Sequence, residues 1–219
     1  MPHLRERGLT LLVLLETVGL FLVAPLAEKG AVPVAIVALL VAAITGCVVV
    51  VVWGSRLAGI ALAAGAAVEL AATIIRIVRP SERTEALDFA AGLLFAMTLI
   101  GVIGIAVFRT GPVSIHRVLG AIAIYLNVAV AFALAYRVID AFSDGAFAGS
   151  GAPVTHHSIA ALIYFSFSTL TTSGYGDIVP VDPFARSAAN LEAVIGQLFP
   201  ATVLARLITL QLQARRSDE

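Results

Sequence analysis

The stretch Thr171-Thr172-Ser173-Gly174-Tyr175-Gly176-Asp177 lies between two apolar segments near the C-terminal end of a 219-residue chain, and its reading decides the fold. Gly174 and Gly176 permit the positive φ angles that turn successive carbonyls to one side. A loop built that way presents a row of backbone oxygens. Such a row suits a hard, weakly hydrated cation, because carbonyl dipoles replace the water shell that the ion gives up. One strip covers one side of an ion only, so the other sides require copies from other subunits arranged around an axis. A plain glycine-rich turn between helices is the alternative, but it does not account for a polar loop set between a short apolar segment and a long one.

Working outward, Thr172-Ser173-Gly174-Tyr175-Gly176-Asp177 resembles the T-V-G-Y-G-D selectivity filter of potassium channels, with Ser173 in the place of the usual Val. The resemblance extends through Tyr164-Phe165-Ser166-Phe167-Ser168-Thr169-Leu170 before the loop and Ile178-Val179-Pro180 after it. Residues 155–212 are similar to the pore helix, re-entrant loop and inner helix of the tetrameric pore-loop cation channels; the first 110 residues resemble nothing comparable. The resemblance implies a prokaryotic potassium channel, a six-helix subunit that forms a homotetramer with one central pore. It implies passive conduction, no catalysis, no cofactor and no metal beyond potassium ions in the filter. The ion-binding residues it implies are Thr172, Ser173, Gly174, Tyr175 and Gly176, with the Thr172 hydroxyl as a further ligand. Thr171 and Asp177 support the loop, and Tyr164 offers a hydroxyl to the Asp177 carboxylate where Phe165 cannot.

Composition agrees with a membrane setting. The chain is 60% hydrophobic and 13% charged, with mean hydropathy +1.01, which excludes an ordinary soluble domain. The first apolar run is followed by Pro25, Glu28 and Lys29 and lacks a small-residue cleavage site, so it reads as a retained helix and not a signal peptide. Cys47 is the single cysteine and reads as a small buried side chain, with no disulfide framework. Net charge is zero and the basic residues are thinly spread, which speaks against nucleic acid as a partner.

A helix that crosses the hydrocarbon needs about 20 mostly apolar residues. Six runs qualify, at 9–26, 32–53, 57–78, 86–108, 115–139 and 184–212. The expected fold class is therefore an all-α membrane protein of six transmembrane helices, with a re-entrant pore helix and filter loop between helices five and six. Residues 1–110 form a four-helix peripheral membrane domain. Residues 111–219 form the pore domain, comprising an outer helix, a turret at 140–155, a pore helix at 156–170, the filter at 171–177, an inner helix at 184–212 and a short cytoplasmic tail. Irregular backbone at membrane depth is tolerated only where protein or water surrounds it, so the filter must be buried among subunits.

Loop charges set the orientation. With cytoplasmic termini, Arg5, Arg7, Arg56, Arg109, Arg117, Arg215 and Arg216 fall inside, and the loop with Asp140 and Asp144 falls outside. Arg76, Arg79 and Arg83 oppose this, offset in part by Glu82, Glu85 and Asp88. The expected location is the plasma (inner) membrane, multi-pass, with membrane lipids as surroundings. A voltage sensor needs several arginines spaced along its fourth helix. Residues 86–108 contain no Arg or Lys, so no voltage sensor is recognisable. The tail is too short for a ligand-binding domain, which leaves gating to the membrane domain or to a separate regulatory protein.

On the inner helix, Pro200 removes the backbone donor that the Gly196 carbonyl would use, so Gly196 and Pro200 are read as a gating hinge, with plain close packing as the alternative. Gln197 is placed at the cavity and Leu204 at a constriction. Glu192 is expected behind the pore helix, within reach of its hydroxyls. Glu16, Glu69, Arg76, Arg137 and Arg206 also lie in or near apolar spans, where an isolated charge is expensive. Glu69 and Arg76 share a helix face and are read as an internal pair or small network. His156 and His157 are candidate pH sensors or exposed interfacial residues.

Two other functions were weighed. A non-selective monovalent cation channel of the same architecture is kept open by Ser173. An intramembrane serine protease of the rhomboid type requires a Gly-x-Ser-Gly loop, whereas Thr171 and Thr172 precede Ser173 here. A buried hydroxyl at position 173 costs ~1 to 3 kcal/mol if it lacks a partner. Ser173→Val is therefore expected to shift the potassium-to-sodium permeability ratio, measured as a reversal potential in bilayers; an unchanged ratio removes any special role for Ser173.

Overall fold

The computed structural model describes residues 2–51, 56–108, 115–143, 145–149 and 158–217. His156, His157, Asp144 and Arg109 lie outside the described residues. In order, the elements are α1 (Pro2–Val18), a π-helical turn (Gly19–Val23), α2 (Ala24–Glu28), α3 (Val34–Val51), α4 (Arg56–Val78), α5 (Glu82–Val107), α6 (Ile115–Phe142), β1 (Phe147–Gly149), α7 (Ile159–Leu170), β2 (Ile178–Pro180) and α8 (Pro183–Ser217). Among the described residues, five helical stretches are long and apolar enough to cross a membrane, at Gly8–Ala27, Leu57–Val78, Glu82–Val107, Arg117–Phe142 and Pro183–Arg206. The protein is a multi-pass membrane protein. The expected span at 32–53 corresponds to the 18-residue α3, none of whose residues is charged.

The breaks between elements follow from their chemistry. Pro80 ends α4, and Ser81 and Thr84 then cap α5 reciprocally: the Thr84 N–H donates to Ser81 Oγ at 3.2 Å and the Ser81 N–H to Thr84 Oγ1 at 2.9 Å. Glu82 and Glu85 sit in the first turn of α5, where carboxylates complement the helix dipole. Asp182 caps α8, its Oδ1 accepting from the N–H groups of Phe184 at 2.8 Å and Ala185 at 3.1 Å, with Pro183 at the first helical position.

The chain divides into two compact units. The first contains residues 1–63, 98–127 and 202–219. In it α1 packs on α3, with Gly19 beneath Leu40: a Cβ at Gly19 would meet Leu40 Cδ2 at 2.8 Å. Gly120 of α6 lies against Val107 and Leu9, so that α6 approaches both neighbours closely through a residue without a side chain. Glu16 of α1 is buried, and Asn127 of α6 donates to its Oε1 at 2.6 Å and to the Ala123 carbonyl at 2.9 Å.

The second unit contains residues 64–97 and 128–201. Its core is aromatic: Tyr136, Phe147 and Phe165 meet edge to face, with centroids 5.1 to 5.5 Å apart. Each such pair contributes about 0.5–1.5 kcal/mol beyond its buried area. The two arginines that the sequence leaves in or near apolar spans of this unit find carboxylate partners here. Arg76 Nε lies 2.9 Å from Asp88, which also accepts from Thr73 at 2.7 Å. Arg76 thus pairs with Asp88 of α5, so the expected pair or small network around Glu69 and Arg76 takes in a third, interhelical member. Arg137 is buried between Glu85 at 2.6 Å and Asp140 at 3.8 Å, its guanidinium over the Phe89 ring at 5.0 Å.

One expectation is corrected: the fold is helical but not purely so, since β1, within the segment read as a turret, pairs antiparallel with β2 beyond the 171–177 loop, Phe147 opposite Pro180 and Gly149 opposite Ile178. The pairing joins segments thirty residues apart, and neither tripeptide has a local periodicity that signals a strand. Helix α7 begins at Ile159, with Ser158 as its N-cap in extended backbone (ψ 152°). Helix α8 runs from Pro183 to Ser217, around the apolar run read at 184–212.

Breaking a buried ion pair from one side is strongly destabilising. Arg137→Met, which takes the cation from Glu85 and the fully buried Asp140, is expected to cost about 3 kcal/mol, read as a lower thermal midpoint in detergent micelles. An unchanged midpoint would show that Arg137 is not the counter-charge this core depends on.

Candidate functional site

Helix α7 is short because it starts at a cap and stops at a loop that consumes its free carbonyls. The Ser158 hydroxyl accepts from the Ala161 N–H at 3.1 Å and opens the helix. At the other end, the last four carbonyls of a helix have no intrahelical donor. The 171–177 loop supplies those donors. The Thr171 N–H reaches the Phe167 carbonyl at 3.0 Å, and the Thr172 N–H reaches Thr169 at 2.9 Å. The Ser173 and Gly174 N–H groups both reach the Ser168 carbonyl, at 2.9 and 3.1 Å. Finally, the Tyr175 N–H donates to Ser168 Oγ at 3.2 Å. Five consecutive amides are turned back onto one helix end.

The backbone angles explain how five neighbours face one way. Thr172, Gly174 and Gly176 have positive φ, at 58°, 55° and 79°. A left-handed residue at every second position undoes the alternation of an extended chain, so N–H groups collect on one side and carbonyls on the other. Gly174 and Gly176 adopt this at little cost. Thr172, being β-branched, bears about 1–3 kcal/mol of strain. Five backbone hydrogen bonds at about 1 kcal/mol each exceed that strain. The loop is consequently held open, and residues 171–177 are exposed in the single chain.

The side chains fasten the same loop. Thr171 Oγ1 donates to the Phe167 carbonyl at 2.6 Å and lies 3.0 Å from Ser173 Oγ. The single Thr171 proton is used on Phe167, so the Ser173 hydroxyl is the donor of that second bond. Ser173 therefore has its partner, and the desolvation cost feared for a lone hydroxyl does not arise. The Tyr164 hydroxyl lies beside the Asp177 carboxylate, and its ring stacks on Tyr175 with centroids 5.9 Å apart and planes 6° apart.

Behind α7 runs α8, whose residues Ala185, Ala189, Glu192 and Gly196 form one buried face. Glu192 Oε2 accepts from the Tyr136 hydroxyl of α6 at 2.5 Å, and its Oε1 contacts Ser166 Oγ. Gly196 meets the end of α7: a Cβ there would lie 1.8 Å from the Leu170 carbonyl oxygen. That contact gives Gly196 a packing reason independent of any hinge. Pro200 lies within the continuous helix α8, and Gln197, Pro200 and Leu204 are exposed on it.

Among the residues singled out in the sequence, Tyr164, Thr171–Asp177, Glu192 and Gly196 thus converge around the end of α7. Ser168, Ser166 and Tyr136 were not singled out, although they make the bonds that hold the loop and the helix. Hydroxyls at alternate positions of an otherwise apolar twelve-residue helix were the available signal. Because a Cβ at position 196 would strike main-chain atoms, Gly196→Ala is expected to cost at least about 1–3 kcal/mol in thermal unfolding. A wild-type midpoint would dismiss the close contact.

Residues 124–212 match the family model described as ion channel. Protein LctB of Bacillus caldotenax is 29% identical over 87 residues, which cover 38% of this chain and 64% of that protein. Protein LctB of Geobacillus stearothermophilus is 30% identical over 87 residues, with the same coverage of 38% and 64%. The inward rectifier potassium channel Kirbac3.1 of Paramagnetospirillum magnetotacticum is 33% identical over 87 residues, 40% of this chain and 26% of that protein. The matched segment therefore spans less than two thirds of each of these relatives. No solved structure matches the chain. The ion-channel family model spans most of α6, all of α7, the 171–177 loop and α8 as far as residue 212.

Proposed function

We propose that this protein is the subunit of a homotetrameric potassium channel that conducts passively through a central pore. The observation that carries the reading is the alternation of left-handed residues at 172, 174 and 176, with the amides of 171–175 anchored behind them. This arrangement leaves the carbonyls of Thr172, Ser173, Gly174 and Tyr175, and then Gly176, as the free face. Carbonyl rings of that kind replace the hydration shell of potassium. The ion-channel match over 124–212 supports the same reading, and no enzymatic step is needed for it.

Assembly follows from what the single chain leaves uncovered. A polar loop cannot face lipid, and only 11% of the apolar stretch of α8 is buried within the chain. Four copies around the loop would cover both. In this reading α6 is the outer helix, α7 the pore helix and α8 the inner helix, with Gly196 and Pro200 as hinge, Gln197 at the cavity and Leu204 at the constriction. Residues 1–110 supply the remaining spans, making six per subunit, in a plasma membrane with both termini cytoplasmic. Arg76 is bound to Asp88, which also accepts from Thr73, and this supports a structural charge over a voltage-sensing one.

The Ser173-to-Thr171 hydrogen bond favours one second reading, a non-selective monovalent cation channel, because it replaces the apolar packing of the usual Val. It also disfavours a serine protease, since Ser173 donates to a hydroxyl and not to a base. Purified protein in potassium-loaded liposomes is expected to release potassium when a counter-ion path is provided, and to pass sodium much more slowly. Equal rates would support the non-selective channel; absence of any cation flux would overturn the channel reading.

A further inference from the structure

Glu192, Ser166 and Tyr136 are each fully buried, on α8, α7 and α6 respectively. Three oxygen-to-oxygen contacts join them to one another and to the backbone. Tyr136 Oη lies 2.5 Å from Glu192 Oε2, Ser166 Oγ contacts Glu192 Oε1, and Ser166 Oγ lies 2.7 Å from the Ala129 carbonyl oxygen. Each contact needs one proton. Tyr136 and Ser166 supply one apiece, and a carbonyl supplies none.

The geometry points to Glu192 as the source of the third proton: it is a neutral carboxylic acid that donates to Ser166, and in that form it is a positioning residue for the loop. The hydrogen bonds then run in one direction, from Tyr136 to Glu192, from Glu192 to Ser166, and from Ser166 to the Ala129 carbonyl. All three contacts are satisfied at once. A carboxylate would leave one of them as two facing lone pairs.

No cation competes for the site. Arg137, next to Tyr136 on α6, is committed to Glu85 and Asp140. Helix α7 carries no charged residue, and its Tyr164 faces Asp177. The nearest basic residue along α8, Arg186, donates to the Pro180 carbonyl at 3.0 Å. An ionised Glu192 would thus face two hydroxyls only, in an interior that disfavours charge. Ser166 is two residues from Ser168, whose carbonyl and hydroxyl take the amides of Ser173, Gly174 and Tyr175. Loss of the Glu192 proton forces Ser166 to choose between Ala129 and the carboxylate, and the shift passes directly to the anchor of the loop.

The proton assignment stands on the contacts alone; its effect on conduction rests on the channel reading. Glu192→Gln keeps the shape and the polarity of the acid, with an amide N–H toward Ser166. Infrared difference spectra of the reconstituted full chain are expected to show a protonated carboxyl C=O band at neutral pH that Glu192→Gln abolishes. In Ser166→Ala the same band should move to higher frequency, because its acceptor is gone. No difference band, or no movement, overturns the assignment. Potassium flux of the wild type is expected to decline in alkaline solution by about tenfold per pH unit beyond the midpoint, as a single titrating group dictates, while Glu192→Gln stays flat. Matching pH profiles would overturn the positioning role. If neither protein passes potassium at any pH, the channel reading fails and the infrared band still decides the proton.

Discussion

Backbone amides in a membrane cannot be left to water, and the rest of this structure depends on how the 171–177 loop meets that constraint. The five amides from Thr171 to Tyr175 are given to the C-terminal carbonyls of α7 and to one serine hydroxyl. The helix end and the loop each lack what the other has. Their union satisfies both and directs the loop carbonyls away from the helix, which is the geometry that a desolvated cation requires. Ser168 is central to it, since two of its oxygens take three amides. The left-handed Thr172 is tolerated because the bonds on either side of it outweigh its strain.

That loop can be no better placed than α7 itself, and α7 is held both by close packing and by polar contacts. At its C-terminal end the Leu170 carbonyl rests on Gly196, where no side chain intervenes. Midway, Ser166 is joined to α6 and α8 through Ala129, Tyr136 and Glu192. Around it Tyr136, Phe147 and Phe165 pack edge to face. Beyond the loop, β2 returns to pair with β1, and Asp182 caps α8 while accepting from Ser143 at 3.3 Å. The loop is therefore clamped between α7, which precedes it, and β2 and α8, which follow it.

Charges inside apolar helices are met by neighbouring side chains: Arg76 by Asp88, Glu16 by Asn127, and Arg137 by Glu85 on α5 and by Asp140 on its own helix. Water is not at hand to solvate them, so the match has to come from a neighbour. The sequence shows the positions at which such a need exists but not the partner. Asp88 of α5 is the member of the network around Glu69 and Arg76 that only the fold supplies.

Much of the site was legible before any coordinates. The loop and its glycines follow from residue type and local spacing, because glycine conformation is a short-range property, and the resemblance to the filter motif set Tyr164 beside Asp177 and Glu192 behind α7. What was missed is mostly long-range: the β1–β2 pairing, the Gly196 contact with Leu170 and the Tyr136 hydroxyl on Glu192 each join residues from distant elements, while Ser168 takes amides only a few residues further on. The sequence by itself determined that this chain enters a membrane, where its helices run, and that one polar loop interrupts them. Only the tertiary structure decided which groups satisfy that loop and the buried charges, since a hydrogen-bond partner is selected by proximity in space, and no local pattern encodes it.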